Sequence, residues 1–182
     1  MEKWKILSHK TVFQRKIYRI DELACEHPVM QRRHEFTVMH TPDWINIIAV
    51  TADGRFIMVR QHRLGTDEFT IETPAGLVED NEDLSDAAVR ELREETGYSP
   101  SRIYHLKTLK ANPAIMNTRL HLYAAEDCTL THPQELDDSE DIEVVLFRKN
   151  EIDEMIRFGV IDHSVIIAAF SIYFLNKRKH EL

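Results

Sequence analysis

In the first part of the chain, apolar positions recur at short range. "KTVFQRKIYRID" alternates loosely and is rich in β-formers, so it reads as strand, and "HEFTVMH" follows in the same manner. "INIIAVTADGRFIMVRQHR" places Ala52-Asp53-Gly54 between two apolar runs, which predicts a hairpin. "EFTIET" predicts one more short strand. From Leu84 the apolar residues instead fall three and four apart. Asp83 is an N-cap type and Gly97 stands where a left-handed C-cap belongs, so the pattern predicts a helix over 84–95. Strand patterns return in "IYHLKTLK", "LHLYAAED" and "IEVVLFRK". The tail reads as two helices. "NEIDEMIRFG" closes on Gly159, and "DHSVIIAAFSIYFLNKRK" opens on capping residues and ends in cations that suit the helix dipole. Many strands with few helices predict an α+β chain whose sheet carries helices on its faces.

The helix over 84–95 has a conflict built into it. At about 100° per residue, Leu84, Ala87, Ala88 and Leu92 share one face. Glu91 and Glu95 fall inside that stripe and Glu94 flanks it, while Arg90 and Arg93 fall on the far side. Like charges one turn apart repel. A helix end in solvent would carry them at no cost. Gathered inward, hard oxygen donors at this spacing suit Mg²⁺ or Mn²⁺, and no Cys or His stands at ligand spacing to suggest Zn²⁺. The helix alone leaves both readings open.

Composition narrows the partners. The 182 residues suit one core-forming domain, and 43% apolar with 30% charged is ordinary for a soluble protein. A net charge of −8 argues against a general nucleic-acid binder, which needs a basic face. A phosphate substrate remains open if cations supply the positive charge. "MEKWKILSHK" has no signal-peptide pattern, and the apolar run "VIIAAFSIYFL" is far shorter than the roughly 20 residues that span a bilayer. Cys25 and Cys128 lie far apart in no metal-ligand spacing and read as free thiols. A cytoplasmic protein with no nucleic-acid or membrane partner is the expectation.

The spacing around the helix settles its reading. Gly76, Glu82, Arg90-Glu91-Leu92, Glu94-Glu95 and Gly97-Tyr98 resemble the Nudix box, GX5EX7REUXEEXGU, with every fixed position matched. Tyr98 takes a position more often aliphatic. "IETPAGLVEDNE" before the box, "VRQHR" upstream, "DDSEDIEVVLFRKNEI" and "GVIDHSVIIAAF" downstream, and Pro113 fifteen residues past Tyr98 are similar to the ADP-ribose and nucleoside-diphosphate-sugar pyrophosphatase branch. Ala114 departs from it, where many ADP-ribose hydrolases carry Gly.

The resemblance implies an α/β/α sandwich with a mixed sheet and a loop-helix-loop box. It also implies N-terminal antiparallel strands over 1–40 that serve dimerisation, and a hydrolase domain over 41–182. The implied reaction is Mg²⁺-dependent hydrolysis of nucleoside-diphosphate sugars, Mn²⁺ being a possible substitute. ADP-ribose leads as substrate, with GDP-mannose as rival. A non-catalytic ligand-sensing module is the alternative class, and the intact box argues against it. Metal ligands would be the Ala75 carbonyl, Glu91, Glu94 and Glu95. Arg90 would orient the box through an ion pair with a glutamate such as Glu82. Gly76 would supply a backbone shape closed to other residues. Arg63, with Arg60 on the same strand end, would meet substrate phosphate or terminal sugar. Pro113 would border the substrate. Trp44 is a candidate base stacker alongside Trp4, Phe13 and Tyr18, though each reads more readily as core. The acidic run 135–141 would bring in a general base on a mobile loop. Glu140 is favoured over Asp138, the two facing one way if the run is extended.

Overall fold

The computed structural model describes residues 1–180. They form two compact units, one of Met1–Asp43 with Lys110–Arg119, the other of Trp44–Leu109 with the chain from Leu120 onward.

In the first unit, β1 (Lys5–Gln14), β2 (Arg19–Glu26) and β3 (Arg33–His40) make an antiparallel meander. The stretch "KTVFQRKIYRID" is therefore not one strand. It breaks at Arg15–Tyr18, where the Arg15 N–H donates to the Tyr18 carbonyl at 2.9 Å. Loose alternation runs on through the turn and conceals it. Residues 110–119 join this unit by bridging β3. The Met39 N–H donates to the Ile115 carbonyl at 2.8 Å, and Met39 and Met116 pair in parallel. Nothing in the residue pattern foretells that association across more than seventy residues.

The second unit holds β4 (Trp44–Thr51), β5 (Phe56–Arg63), β6 (Glu68–Glu72), β7 (Ala75–Leu77), α1 (Leu84–Thr96), β8 (Tyr98–Ser99), β9 (Arg102–Lys110), β10 (Arg119–Leu130), β11 (Ile142–Phe147), α2 (Lys149–Arg157) and α3 (Ser164–His180). Side chains from Arg178 onward, including most of the cationic end expected for α3, lie outside the described residues. The strand order is β11-β5-β4-β10-β8, with β6 on β5, β7 on β4 and β9 on β10. β4 and β10 run parallel, while β5 opposes β4, β6 and β11, so the sheet is mixed.

Strand alternation sorts the core into two layers. Ile45, Ile47, Ala49, Ile57, Tyr123 and Ala125 pack against Ala87, Ala88 and Leu92 of α1. Ile48, Phe56, Met58, Leu122 and Ala124 pack against Ile152 of α2 and Ile166, Ala169, Phe170 and Tyr173 of α3. This is the expected α/β/α sandwich. Each large apolar side chain it encloses contributes about 1.5–3 kcal/mol. No helix among the described residues is long and apolar enough to cross a membrane. Cys25 and Cys128 are both buried and free, and burial pushes the Cys128 thiol up to about 11, which keeps it unreactive.

Candidate active site

The box helix is fixed at both ends by its own sequence. The Asp83 carboxylate accepts the Ser85 N–H at 2.8 Å, and Gly97, at φ +76°, donates its N–H to the Arg93 carbonyl at 2.7 Å. A Cβ at Gly97 would fall on the His132 carbonyl oxygen. The helix runs one residue past the predicted end, up to the left-handed Gly97 cap, and Thr96 donates its hydroxyl back to the Leu92 carbonyl.

The inward carboxylates are where the helical pattern places them. Glu95 is 4% exposed. Among the described residues it accepts one hydrogen bond, from the Ala75 N–H at 3.0 Å. Burial, with the charges of Glu91 and Glu140, pushes its carboxyl up to about 8 despite that bond. Burial also raises Glu91 above the usual carboxylate range, against the pull of Arg90. Gly76 lies beneath them. Its φ is not in the left-handed region, so the expected backbone role does not hold. A Cβ there would overlap the Glu91 carboxylate itself, so this glycine makes room for a charged group.

Arg90 was expected to point away. Its long side chain returns, giving 2.7 and 2.9 Å contacts to Glu82, 2.7 Å to Glu91 and 3.1 Å to Glu94, and its guanidinium also donates to the Leu77 carbonyl at 3.1 Å. One guanidinium thus ties the loop before α1 to two of the box glutamates. A wheel drawn from Cα positions misses this because it ignores side-chain reach.

Among the described residues no three His, Cys, Asp or Glu side chains converge as a ready metal cage. The donor set nevertheless fits a hard divalent cation. Glu91, Glu94 and Glu95 offer oxygen alone from one helix face, beside the strand that carries Ala75. The enclosed, like-charged pair Glu91 and Glu95 is the arrangement that a cation would relieve.

Arg63 lies at the end of β5 with its fork engaged. Nε and Nη2 donate to the two oxygens of Glu72 at 2.8 and 2.7 Å, and Thr70 donates to the same carboxylate at 2.6 Å. Burial opposes ionisation of Glu72, yet these donors hold its carboxyl below the usual range. Glu72 carried no assignment in the sequence reading. A charged residue closing a strand just before the box is the signal that was there to use. Arg60 bonds its cross-strand neighbour Glu143 at 3.1 Å and lies 4.8 Å over the Phe69 ring. Trp44 is half-buried against the α2–α3 side of the core. Pro113 is exposed in the turn that follows Asn112, within the first unit.

The acidic run is not extended, which removes the premise that Asp138 and Glu140 face one way. It closes as a turn, with the Glu140 N–H donating to the Asp137 carbonyl at 2.9 Å and the Glu140 carboxylate accepting the Asp137 N–H at 3.0 Å. Asp138 and Ser139 occupy the corner. Glu140 acts electrostatically on Glu91, Glu95 and Arg63. The loop ahead of the turn is moored to α1. Gln134 donates to the Glu95 and Ile142 carbonyls at 2.6 and 3.1 Å, and the Glu135 N–H donates to the Glu94 carbonyl at 2.9 Å. The bonds to Glu94 and Glu95 satisfy helix-end carbonyls, a role for Gln134 that no local pattern announces.

The NUDIX domain pattern matches residues 39–170, and the chain belongs to the Nudix hydrolase family. It is 30% identical over 142 residues to the ADP-ribose pyrophosphatase of Bacillus subtilis (strain 168), covering 78% of this chain and 76% of that protein. It is 26% identical to the methanol dehydrogenase activator of Bacillus methanolicus, covering 97% and 96%. A third relative is the ADP compounds hydrolase NudE of Escherichia coli (strain K12), at 25% identity over 77% of this chain and 74% of that one. A crystal structure of an ADP compounds hydrolase shares the fold, with a TM-score of 0.88 at 20% identity over 99% of this chain and 97% of that one.

Proposed function

We propose that this Nudix hydrolase cleaves the pyrophosphate bond of nucleoside-diphosphate sugars with Mg²⁺, ADP-ribose being the principal substrate and AMP and ribose 5-phosphate the products. The observation that carries the reading is Glu95, a carboxylate 4% exposed, given one N–H by the protein and crowded by Glu91. The names of the Bacillus subtilis and Escherichia coli relatives support the substrate class.

Glu91, Glu94, Glu95 and the Ala75 carbonyl would hold Mg²⁺, with Mn²⁺ as substitute; the ion supplies charge neutralisation and a more acidic bound water. Arg90 keeps Glu91 and Glu94 oriented. Arg63, steadied by Glu72, offers its remaining donors to a phosphate or the terminal sugar. Glu140 takes a proton from the attacking water. The new P–O bond forms at one phosphorus as the bond to the bridging oxygen breaks, its electron pair leaving with the departing phosphate. Asp138 is the alternative base. GDP-mannose is the rival substrate.

The exposed apolar residues Ile6, Leu7 and Val12 of β1 support a homodimer joined through residues 1–40. The free buried cysteines support a reducing, cytoplasmic setting. The test is hydrolysis of a panel of nucleotide sugars, dinucleotides and triphosphates with Mg²⁺. ADP-ribose is expected to lead in kcat/KM with little action on ATP. Triphosphates outcompeting every nucleotide sugar would overturn the reading, and GDP-mannose in first place would replace the substrate alone.

A further inference from the structure

The first unit contains a cleft of about 190 Å³ between the β1–β2 turn and the end of β3, lined by Gln14 to Arg19 and by His40, Thr41 and Pro42. None of the box residues borders it. Three of the six residues Gln14–Arg19 are cationic, in a chain whose net charge is −8. A solvated turn needs no further organisation, and this one is organised. Beneath it Asp21 is 2% exposed and is surrounded by donors. It takes the Thr11 hydroxyl at 2.8 Å, Arg19 Nε at 3.1 and 3.2 Å, and His40 Nε2 at 3.0 Å. The buried carboxylate thereby fixes Arg19 and His40 at the cleft. Arg19 spends only Nε on that pairing, and neither of its terminal nitrogens has a hydrogen bond among the described residues.

The other wall is equally fixed. Phe13 stacks on Tyr18, with ring centroids 5.6 Å apart, and the Arg15 guanidinium lies 4.6 Å over the same Phe13 ring. The ammonium of Lys16 has no ion-pair partner among the described residues. The neighbouring carboxylate of Asp43 is turned to the Arg119 N–H, which it accepts at 2.9 Å. Three cations and a histidine thus surround a concave space in which the one buried anion is already paired.

We propose that this cleft is a binding site for a phosphate group, carried by a phosphomonoester or by free phosphate. Guanidinium forks and an ammonium match the oxygens and the charge of such a group. The volume lies below the roughly 300–1,000 Å³ of sites that enclose a whole drug-sized ligand, so the cleft takes a head group and leaves the rest of a nucleotide outside.

The experiment is calorimetric titration of the full chain, without divalent cation, with inorganic phosphate, ribose 5-phosphate and AMP separately, in about 150 mM salt. Saturable binding of at least one of the three is expected. Arg15→Ala/Lys16→Ala should weaken it at least about 10-fold, a loss within reach of two charge-assisted hydrogen bonds. Asp21→Asn should also weaken it by releasing Arg19 and His40, with thermal unfolding reporting that each variant folds. Glu95→Gln should leave it unchanged, which separates this cleft from the box. Binding by inorganic phosphate alone identifies the source as free phosphate, and preference for ribose 5-phosphate or AMP identifies a phosphomonoester. Absence of saturable binding, or equal binding of sulfate that salt abolishes, would overturn the proposal. Binding that survives Arg15→Ala/Lys16→Ala would do so as well.

Discussion

A carboxylate as enclosed as Glu95 destabilises the folded chain unless it is protonated or neutralised. Its folded value, pushed up to about 8, stands above the ordinary 4.5. The folded state therefore binds this proton more tightly than the unfolded chain does. The resulting stability is complete below the unfolded value and is lost as pH rises through the folded one. Metal-free protein should accordingly lose thermal stability between pH 5 and 8 relative to Glu95→Gln, and saturating Mg²⁺ should remove most of that difference. Parallel melting profiles for wild type and variant, with and without the ion, would contradict the assignment. At Gly76 a methyl group would displace the Glu91 carboxylate. Gly76→Ala should lower kcat/KM by about 10²-fold, the scale of a misplaced catalytic group, in a protein that still folds. Glu140→Gln should lose at least about 10²-fold in kcat, with KM little changed. Near-normal turnover there, with collapse in Asp138→Asn, would move the base two residues upstream.

At the scale of elements, α1 was the most legible part of the chain. Asp83 and Gly97 set its ends, and the apolar stripe set its buried face, so both the helix and its inward glutamates followed from spacing. The hairpin at Asp53-Gly54 and the strands β9, β10 and β11 were legible for the same reason. β7 and β8, with three and two residues, are too short for any period to register. The β1–β2 turn was hidden because alternation continued through it, and the shared facing of Asp138 and Glu140 depended on an extended run, which the turn at Asp137–Glu140 is not. The Arg63–Glu72 fork went unseen because it depends on side-chain reach across the β5–β6 pair, and the Gln134 mooring because it joins segments far apart in the chain. Gln134→Ala tests the second of these. It removes one donor from two carbonyls, at about 1 kcal/mol each, and should lower kcat by freeing the loop that carries Glu140 while shifting the melting temperature by only a few degrees. An unchanged kcat would show that the mooring serves the fold alone.

Within the second unit, the parallel pairing of β4 with β10 brings together strands more than seventy residues apart, and the core layer on one sheet face holds the box helix in place while the other layer carries α2 and α3. The first unit presents Ile6, Leu7 and Val12 to its surroundings. If residues 1–40 join two copies, Ile6→Glu/Val12→Glu should shift the light-scattering mass in solution from twice the 21.4 kDa chain to that of one chain. A single-chain mass for the unaltered protein would remove the dimer. The central claim is that the box carboxylates, through a divalent cation, cleave a pyrophosphate. The most direct measurement is the Mg²⁺-dependent turnover of ADP-ribose by wild type and by Glu95→Gln, each shown to be folded. Wild type should release AMP and ribose 5-phosphate, and the variant should lose orders of magnitude in kcat; full Mg²⁺-dependent turnover in folded Glu95→Gln would contradict it.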